Sequence, residues 1–292
     1  MLAPVYGVQK PFPPMWGDGP TPPARLIGDP GQGPATAQEQ LLDGLGCHGL
    51  KDLHRAALMG RFDTKYLLPV SFLPILLAEL RGDYSALEID GCRVFRYRNL
   101  YLDTPDFGFF RAHHNGKLNR HKVRHREYVE SGSGFLEVKF KDNRKRTSKT
   151  RIPWAAPWAT GLEAGRFLRK TLGANVGSLA PVLLIEYQRI ALANEERAER
   201  VTLDLGLTFQ RPGETAGASL APLLVAELKE AGRNPDSRFR QVMRQYRFRP
   251  GPFSKYCTGC CLVYPRSLRT NRFKPILRRV ARLHPKRGSG HV

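Results

Sequence analysis

The feature that most limits what this chain can become is a set of segments alternating long cations with apolar residues at a period of two. In Lys122-Val-Arg124-His-Arg126-Glu-Tyr128, side chains two apart share a face, so Lys122, Arg124, Arg126 and Tyr128 line one side of an extended strand. In Leu136-Glu-Val-Lys-Phe-Lys141, Glu137, Lys139 and Lys141 share one face, and Leu136, Val138 and Phe140 the other. Arg200, Thr202 and Asp204 alternate with Val201, Leu203 and Leu205, and Glu227 and Lys229 with Ala226 and Leu228. Period two with one apolar face is the pattern of an antiparallel sheet. A sheet face that is merely wet usually mixes signs, because like charges opposite each other destabilise the pairing. Here the polar faces hold Lys122, Arg124, Arg126, Lys139, Lys141, Arg200 and Lys229 against only Glu137, Asp204 and Glu227. Such a face persists most readily with something negative among the cations. Closing the sheet into a barrel with these faces inward would make a cationic tunnel, its apolar faces outside under helices.

The rest of the chain frames these strands. Residues 1–50 begin with a Pro/Gly-rich stretch, nine prolines in the first 36, that has too little apolar periodicity to offset its ordering entropy and is expected to be largely disordered. Residues 51–264 hold the strands and three helical patterns, an α+β arrangement rather than a regular βαβ alternation. One helix follows Ser71, with Leu73, Leu76, Leu77 and Leu80 on one face. A second opens on Thr160 and Glu163 in capping-box spacing and ends at Gly173. A third begins near Asp236 and Ser237 and groups Phe239, Val242, Met243 and Tyr246. Residues 265–292 form a basic tail with nine Lys or Arg and no acid. Its Ile276, Leu277, Val280 and Leu283 have helical spacing, so a solvated tail and a basic amphipathic helix that meets nucleic acid or an anionic membrane both stand open.

Net charge points the same way. The chain carries +21, of which the tail accounts for nine and leaves twelve to the remainder, so a polyanionic partner is expected. No run of 18 apolar residues exists, which predicts no ordinary membrane-spanning helix. Met1 to Lys10 lack a secretory pattern, and five irregularly spaced cysteines make no disulfide framework, so the expected compartment is the cytoplasm. No P-loop and no G-x-G-x-x-G after a strand is present. Cys257-x-x-Cys260-Cys261 is half a zinc pattern without its second pair, and no H-E-x-x-H occurs. Phosphoryl transfer fits better. It asks for cations around phosphates, oxygens in line and a divalent metal. Arg grips phosphate with a planar fork and Lys acts as a point charge. The few inward carboxylates would then be metal ligands, since Mg²⁺ or Mn²⁺ often needs only one or two from the protein.

An ordered set of short motifs now stands out. It runs Arg61-Phe-Asp63-Thr-Lys65-Tyr66, Tyr101-Leu-Asp103-Thr104, Lys122-Val-Arg124-His-Arg126, Leu136-Glu137-Val-Lys139, Lys149-x-Arg151, Tyr187-x-Arg189 and Phe253-Ser254-Lys255-Tyr256. Together, over roughly residues 58 to 260, these resemble the polyphosphate polymerase domain of the vacuolar transporter chaperone (VTC) family, a branch of the triphosphate tunnel metalloenzymes. The resemblance implies an antiparallel eight-stranded β-barrel with helices packed outside. It also implies transfer of the γ-phosphate of ATP to a growing polyphosphate chain with Mn²⁺ or Mg²⁺. By position, Lys65, Arg124, Arg126, Lys139, Lys149, Arg189, Arg200 and Lys255 resemble the phosphate ligands, and Glu227 the metal-binding glutamate. The strand pattern adds Lys122, Lys141, Arg151 and Lys229 as phosphate contacts and Glu137 as a second metal candidate. The wider superfamily often opens with Glu-x-Glu-x-Lys, whereas this chain has Arg61-x-Asp63-x-Lys65 and fewer acids for a metal. Inositol-polyphosphate-sensing and membrane-helix segments of the eukaryotic subunits have no counterpart in this sequence, which looks like a stand-alone bacterial form. Two other functions remain at this stage: a triphosphate or polyphosphate hydrolase in the same tunnel, and a non-catalytic module for polyphosphate or RNA.

Overall fold

Alternating side chains build a sheet whose two faces have opposite chemistry. In the computed structural model, the described residues are 37–53, 62–144, 146–154, 161–173, 178–232 and 234–283. Arg61, Thr160, the Pro-rich stretch through residue 36 and residues 284–292 lie outside them. The first strands are β1 (Gly46–His48), β2 (Phe62–Pro69), β3 (Ser85–Leu87), β4 (Val94–Asp103), β5 (Arg120–Tyr128) and β6 (Ser133–Lys141). There follow β7 (Thr147–Pro153), β8 (Ala180–Asn194), β9 (Glu199–Gln210), β10 (Gly217–Leu220) and β11 (Leu223–Glu230). The helices are α1 (Ala37–Gln40), α2 (Leu73–Leu80), α3 (Gly108–His114), α4 (Leu162–Leu172), α5 (Arg238–Gln245), α6 (Lys255–Val263) and α7 (Lys274–Leu283).

Eight strands follow one another across the sheet in the order β2-β11-β9-β8-β4-β5-β6-β7, each antiparallel to its neighbours. Short β1, β3 and β10 extend it at the side of β8 and β9. The expected antiparallel sheet of eight main strands with helices is therefore present, but its closure is not: no ladder joins β2 to β7. The reason lies in β7, whose residues 147–151 are all exposed and include Lys149 and Arg151, a charged edge that resists further pairing. The sheet nonetheless curls enough to bring Lys139 on β6 within electrostatic reach of Lys65 and Asp63 on β2 and of Glu227 on β11. A cationic trough results.

The convex face is buried under helices. Tyr66, Leu68, Leu203, Leu205, Ala226 and Leu228 pack against Leu76, Leu77 and Leu80 of α2 and Phe239, Val242 and Met243 of α5. Ser237 caps α5 by accepting from the Arg240 amide, which starts the helix where the sequence placed it. Leu42 and Leu45, within the segment 1–50, join this cluster. Leu102, Val123, Leu136 and Val138 are covered by α4 through Ala164, Phe167 and Leu168.

The expectation that all helices lie outside does not hold at α6 and α7. α6 sits on the concave face at one end of the trough, its Tyr256, Cys257, Cys260 and Cys261 packed on Leu67, Leu183, Ile185 and Val225. Leu207 and Phe209 of β9 belong to the same cluster, although Asp204 on that strand also faces the trough. A bulge makes this possible: Gly206 takes φ 59° opposite a register shift between Glu186 and Gln188, so the alternation changes phase and apolar residues turn inward. α6 also approaches closely. A Cβ at Gly259 would lie 2.4 Å from Phe209 Cδ1 and 2.8 Å from Leu183 Cδ2. α7 completes the layer, with Phe273 and Val280 buried in the α6 cluster.

Candidate functional site

Register, not sequence distance, assembles the concave face. Lys122 lies opposite Lys139 and Arg124 opposite Glu137 across β5 and β6, while Lys149 and Arg151 of β7 face Lys139 and Glu137. On the other wall Lys65 faces Glu227, Thr202 faces Glu227, and Arg200 faces Lys229. Arg189 of β8 is paired with Asp204 of β9. Lys255 reaches the same face from the first turn of α6, whose N-cap Ser254 accepts from the Cys257 amide and from Lys122 Nζ at 2.8 Å. Lys141 opposes Thr147 at the far end of the β6–β7 edge.

Three buried or half-buried carboxylates organise these cations. Arg124 donates to Glu137 Oε2 through Nε at 2.8 Å and Nη2 at 2.6 Å, and Lys149 Nζ lies 3.3 Å from Oε1. Arg126 is 3.9 Å from the same carboxylate and donates to Asn99 Oδ1 at 2.9 Å and to the Tyr187 hydroxyl at 3.3 Å. Arg189 holds Asp204 with bonds of 2.6 Å to Oδ1 and 2.9 Å to Oδ2, and Lys255 donates to Oδ2 as well. Lys65 Nζ donates to Glu227 Oε1 at 2.5 Å, with Lys229 Nζ at 3.6 Å from Oε2 and 3.3 Å from Thr202 Oγ1. Stacked Tyr97 and Tyr187, 5.3 Å apart, carry the guanidiniums of Arg126 and Arg189 above the Tyr97 ring at 5.1 and 4.9 Å. Arg151 covers the ring of Phe135 at 4.4 Å.

The charges answer one another. Burial alone would raise the Glu137 carboxyl, but Arg124, Arg126 and Lys149 hold it at about 2. Burial would likewise raise Asp204 and Glu227. Arg189 and Lys255 hold the first well below the carboxylate range, and Lys229 and Lys65 hold the second there. The cations bear the opposite stress. Desolvation lowers Lys229 to about 8 against the pull of Glu227, with Arg189 adding repulsion. Lys139 falls to about 8 through the protein walls around it, opposed by Glu227, with Lys122 and Lys65 lowering it further. The site holds more cationic charge than its own acids balance.

Donor chemistry sets what metal it would take. Among the described residues no trio of His, Cys, Asp and Glu converges. Glu227 is the acid nearest Lys65 and Lys229, with Asp63 facing Lys229 across β2 and β11 and Asp204 also within electrostatic reach of Lys229. That set fits a hard ion that takes most of its oxygens from phosphate and water and only one or two from protein. Both Glu137 oxygens accept hydrogen bonds from cations, whereas Glu227 Oε2 has Lys229 only at 3.6 Å, so Glu137 is the poorer donor. Cys257, Cys260 and Cys261 are buried inside the α6 packing.

Sequence reasoning did not single out Asn99, Tyr97 or Ser254. Asn99 and Tyr97 sit two apart on β4 and carried no charge to mark them, and Ser254 entered only as part of the Phe253-Ser254-Lys255-Tyr256 motif, with no role of its own. No curated protein matches the chain. Among solved structures it resembles a Hippeastrum protein described as a candidate adenylyl cyclase with a dominant triphosphatase activity, at 13% identity and TM-score 0.44, covering 69% of this chain and 95% of that one. A candidate adenylate cyclase from Vibrio parahaemolyticus matches at 14% identity and TM-score 0.38, over 67% and 96% of the two chains. Scores this low fix neither fold nor activity. The profile of the VTC domain family is different in weight: it matches residues 60–264, the whole span of the trough strands and α6. The chain belongs to the VTC domain family.

Proposed function

We propose that this chain is a metal-dependent polyphosphate polymerase that moves the γ-phosphate of ATP onto a growing polyphosphate chain. The observation that carries the reading is the trough's uncompensated cationic charge, with Lys139 and Lys229 held at about 8. A condensed phosphate relieves that stress, since an anion beside each ammonium favours its charged form. Arg124, Arg126, Arg189 and Lys255 then serve as the first phosphate ligands, with Lys65, Lys139, Lys149 and Arg200 beside them. Lys122, Lys141, Arg151 and Lys229 extend the cationic path along the strands. Phosphoryl transfer needs these groups to hold donor and acceptor in line and to take up charge on the equatorial oxygens. The acceptor is a chain-end phosphate that is already ionised, so no general base is required. Glu227 would hold the Mn²⁺ or Mg²⁺, which would supply neutralisation of the negative charge on the reacting phosphates. Glu137 keeps Arg124, Arg126 and Lys149 in place. Among the described residues no helix is long and apolar enough to cross a membrane, and the five cysteines are free thiols. The proposed compartment is the cytoplasm.

Phosphorus NMR of the purified chain with ATP and Mn²⁺ tests this. Internal phosphates of a long chain are expected. Orthophosphate alone would make the trough a hydrolase, and unchanged ATP would make it a binding module. Arg124→Ala is expected to weaken tripolyphosphate binding by about 1.5–3 kcal/mol, the cost of one lost charge-assisted contact, while Arg144→Ala, in an exposed turn, leaves it unchanged. Equal effects in calorimetry would move the site elsewhere.

A further inference from the structure

Six cations cluster on α7 and the segment before it, of which Arg272 donates to the His114 carbonyl at 3.2 Å. Arg266, Arg269, Arg272, Lys274, Arg278 and Arg282 are all exposed, and residues 265–283 contain no Asp or Glu. Lys274, Arg278 and Arg282 recur every fourth residue of α7, about 6 Å apart along the axis on one face. The opposite face is already used. Ile276, Leu277 and Leu283 pack against the cluster that buries Phe273 and Val280 beside α6. Arg279 pins the helix to the end of β2 and to the following body, donating to the carbonyls of Leu67 at 3.3 Å and Arg249 at 3.1 Å.

This packing decides between partners that the sequence left open. An amphipathic helix binds a bilayer by sinking its apolar stripe into it, and α7 has turned that stripe into the core. Single-stranded nucleic acid is gripped by stacking its bases on exposed aromatic rings. The exposed aromatic side chains described are Phe62 and Tyr246, neither of them within 265–283. What the surface offers is a rigid row of cations alone.

We propose that α7 and the segment leading into it form a docking surface for long-chain polyphosphate, a polymer of closely spaced phosphates without bases or acyl chains. The choice of polymer rests on the trough reading; the surface rests on how α7 packs. A chain held both in the trough and on α7 is retained by effective concentration, whereas tripolyphosphate is too short to gain from it.

The test is binding of fluorescent long-chain polyphosphate to the full chain and to the variant carrying K274E, R278E and R282E, at several salt concentrations, with tripolyphosphate titrated in parallel. Long-chain affinity is expected to fall at least tenfold and its salt slope to drop by about 2, near 0.7 for each lost phosphate contact. Tripolyphosphate affinity and melting temperature should not change. If charge reversal unfolds the chain, the neutral set K274Q, R278Q and R282Q is expected to lose at least threefold. Unchanged long-chain affinity overturns the proposal, as does an equal loss of tripolyphosphate binding. Selective loss of RNA or of phosphatidylserine vesicles with polyphosphate retained overturns it too. Wild-type chain that binds the long polymer but not tripolyphosphate would sink the trough reading and leave the α7 surface standing.

Discussion

Glu227 is the side chain on which the proposed chemistry most depends. It stands among Lys65 and Lys229 and is either their counter-charge or a metal ligand, and Glu227→Gln separates these because it keeps shape and removes charge. Counter-charge loss should leave nucleotide binding equal or tighter and turnover mildly changed. Ligand loss should leave binding intact and lower Mn²⁺-dependent transfer by orders of magnitude, each tenfold step being about 1.4 kcal/mol of barrier. We expect the second; turnover within about tenfold of wild type at saturating Mn²⁺ would remove Glu227 from the metal site. Lys229 and Lys139 supply a pH dependence. Their folded pKa values are lowered to about 8, so phosphate binding is expected to weaken as pH rises through 8. Stability moves the other way. Between 8 and the ordinary lysine value the unfolded chain binds more protons than the folded one, so their charging cost is relieved as pH rises through that window. Lys229→Arg should flatten the lower part of the binding profile in a calorimetric pH series, because Arg stays protonated. An unchanged profile would show that Lys229 does not contact the ligand.

At the scale of elements, α6 is the part that joins core to site. Its seat depends on Asp103, the fully buried end of β4. This carboxylate accepts from the amides of Thr104, Phe109 and Phe110 at 2.7, 2.8 and 2.9 Å and from the Tyr256 hydroxyl. One side chain thus ties β4, the start of α3 and α6 together. Tyr256 directly follows Lys255, so loosening this anchor should shift a trough cation as well as the core. Tyr256→Phe is expected to cost about 1 kcal/mol and Asp103→Asn about 2–3 kcal/mol in urea melts. Both should weaken tripolyphosphate binding. Wild-type stability in Asp103→Asn would mean that α6 is held by apolar packing alone. Ser237 capping α5 was readable in the sequence because a cap is a local motif. The side of the sheet that α6 would choose was not, because its small apolar residues suit either face.

For the whole molecule, the test is truncation. Removing residues 265–292 takes away the buried side chains of Phe273 and Val280 from the α6 cluster. Each is worth about 1.5–3 kcal/mol of burial, so the shortened chain should melt at clearly lower temperature than the full one. Equal melting would return α7 to the status of a solvated tail. The sequence by itself determined the face chemistry. Period two is a property of a single strand, so the cations of β5, β6, β9 and β11 were bound to share sides wherever those strands lay. It also determined the excess of positive charge and the motif order that marks the family. Only the tertiary structure decided which partners meet, such as Arg126 with Asn99, Arg189 with Asp204 and Lys255 with a strand about fifty residues earlier in the chain. It decided that Gly206 changes the phase of β9, that α6 lies inside and that the sheet stops at β7 without closing. These follow from which distant segments come together. That choice depends on the summed packing of all of them, and no local spacing encodes it.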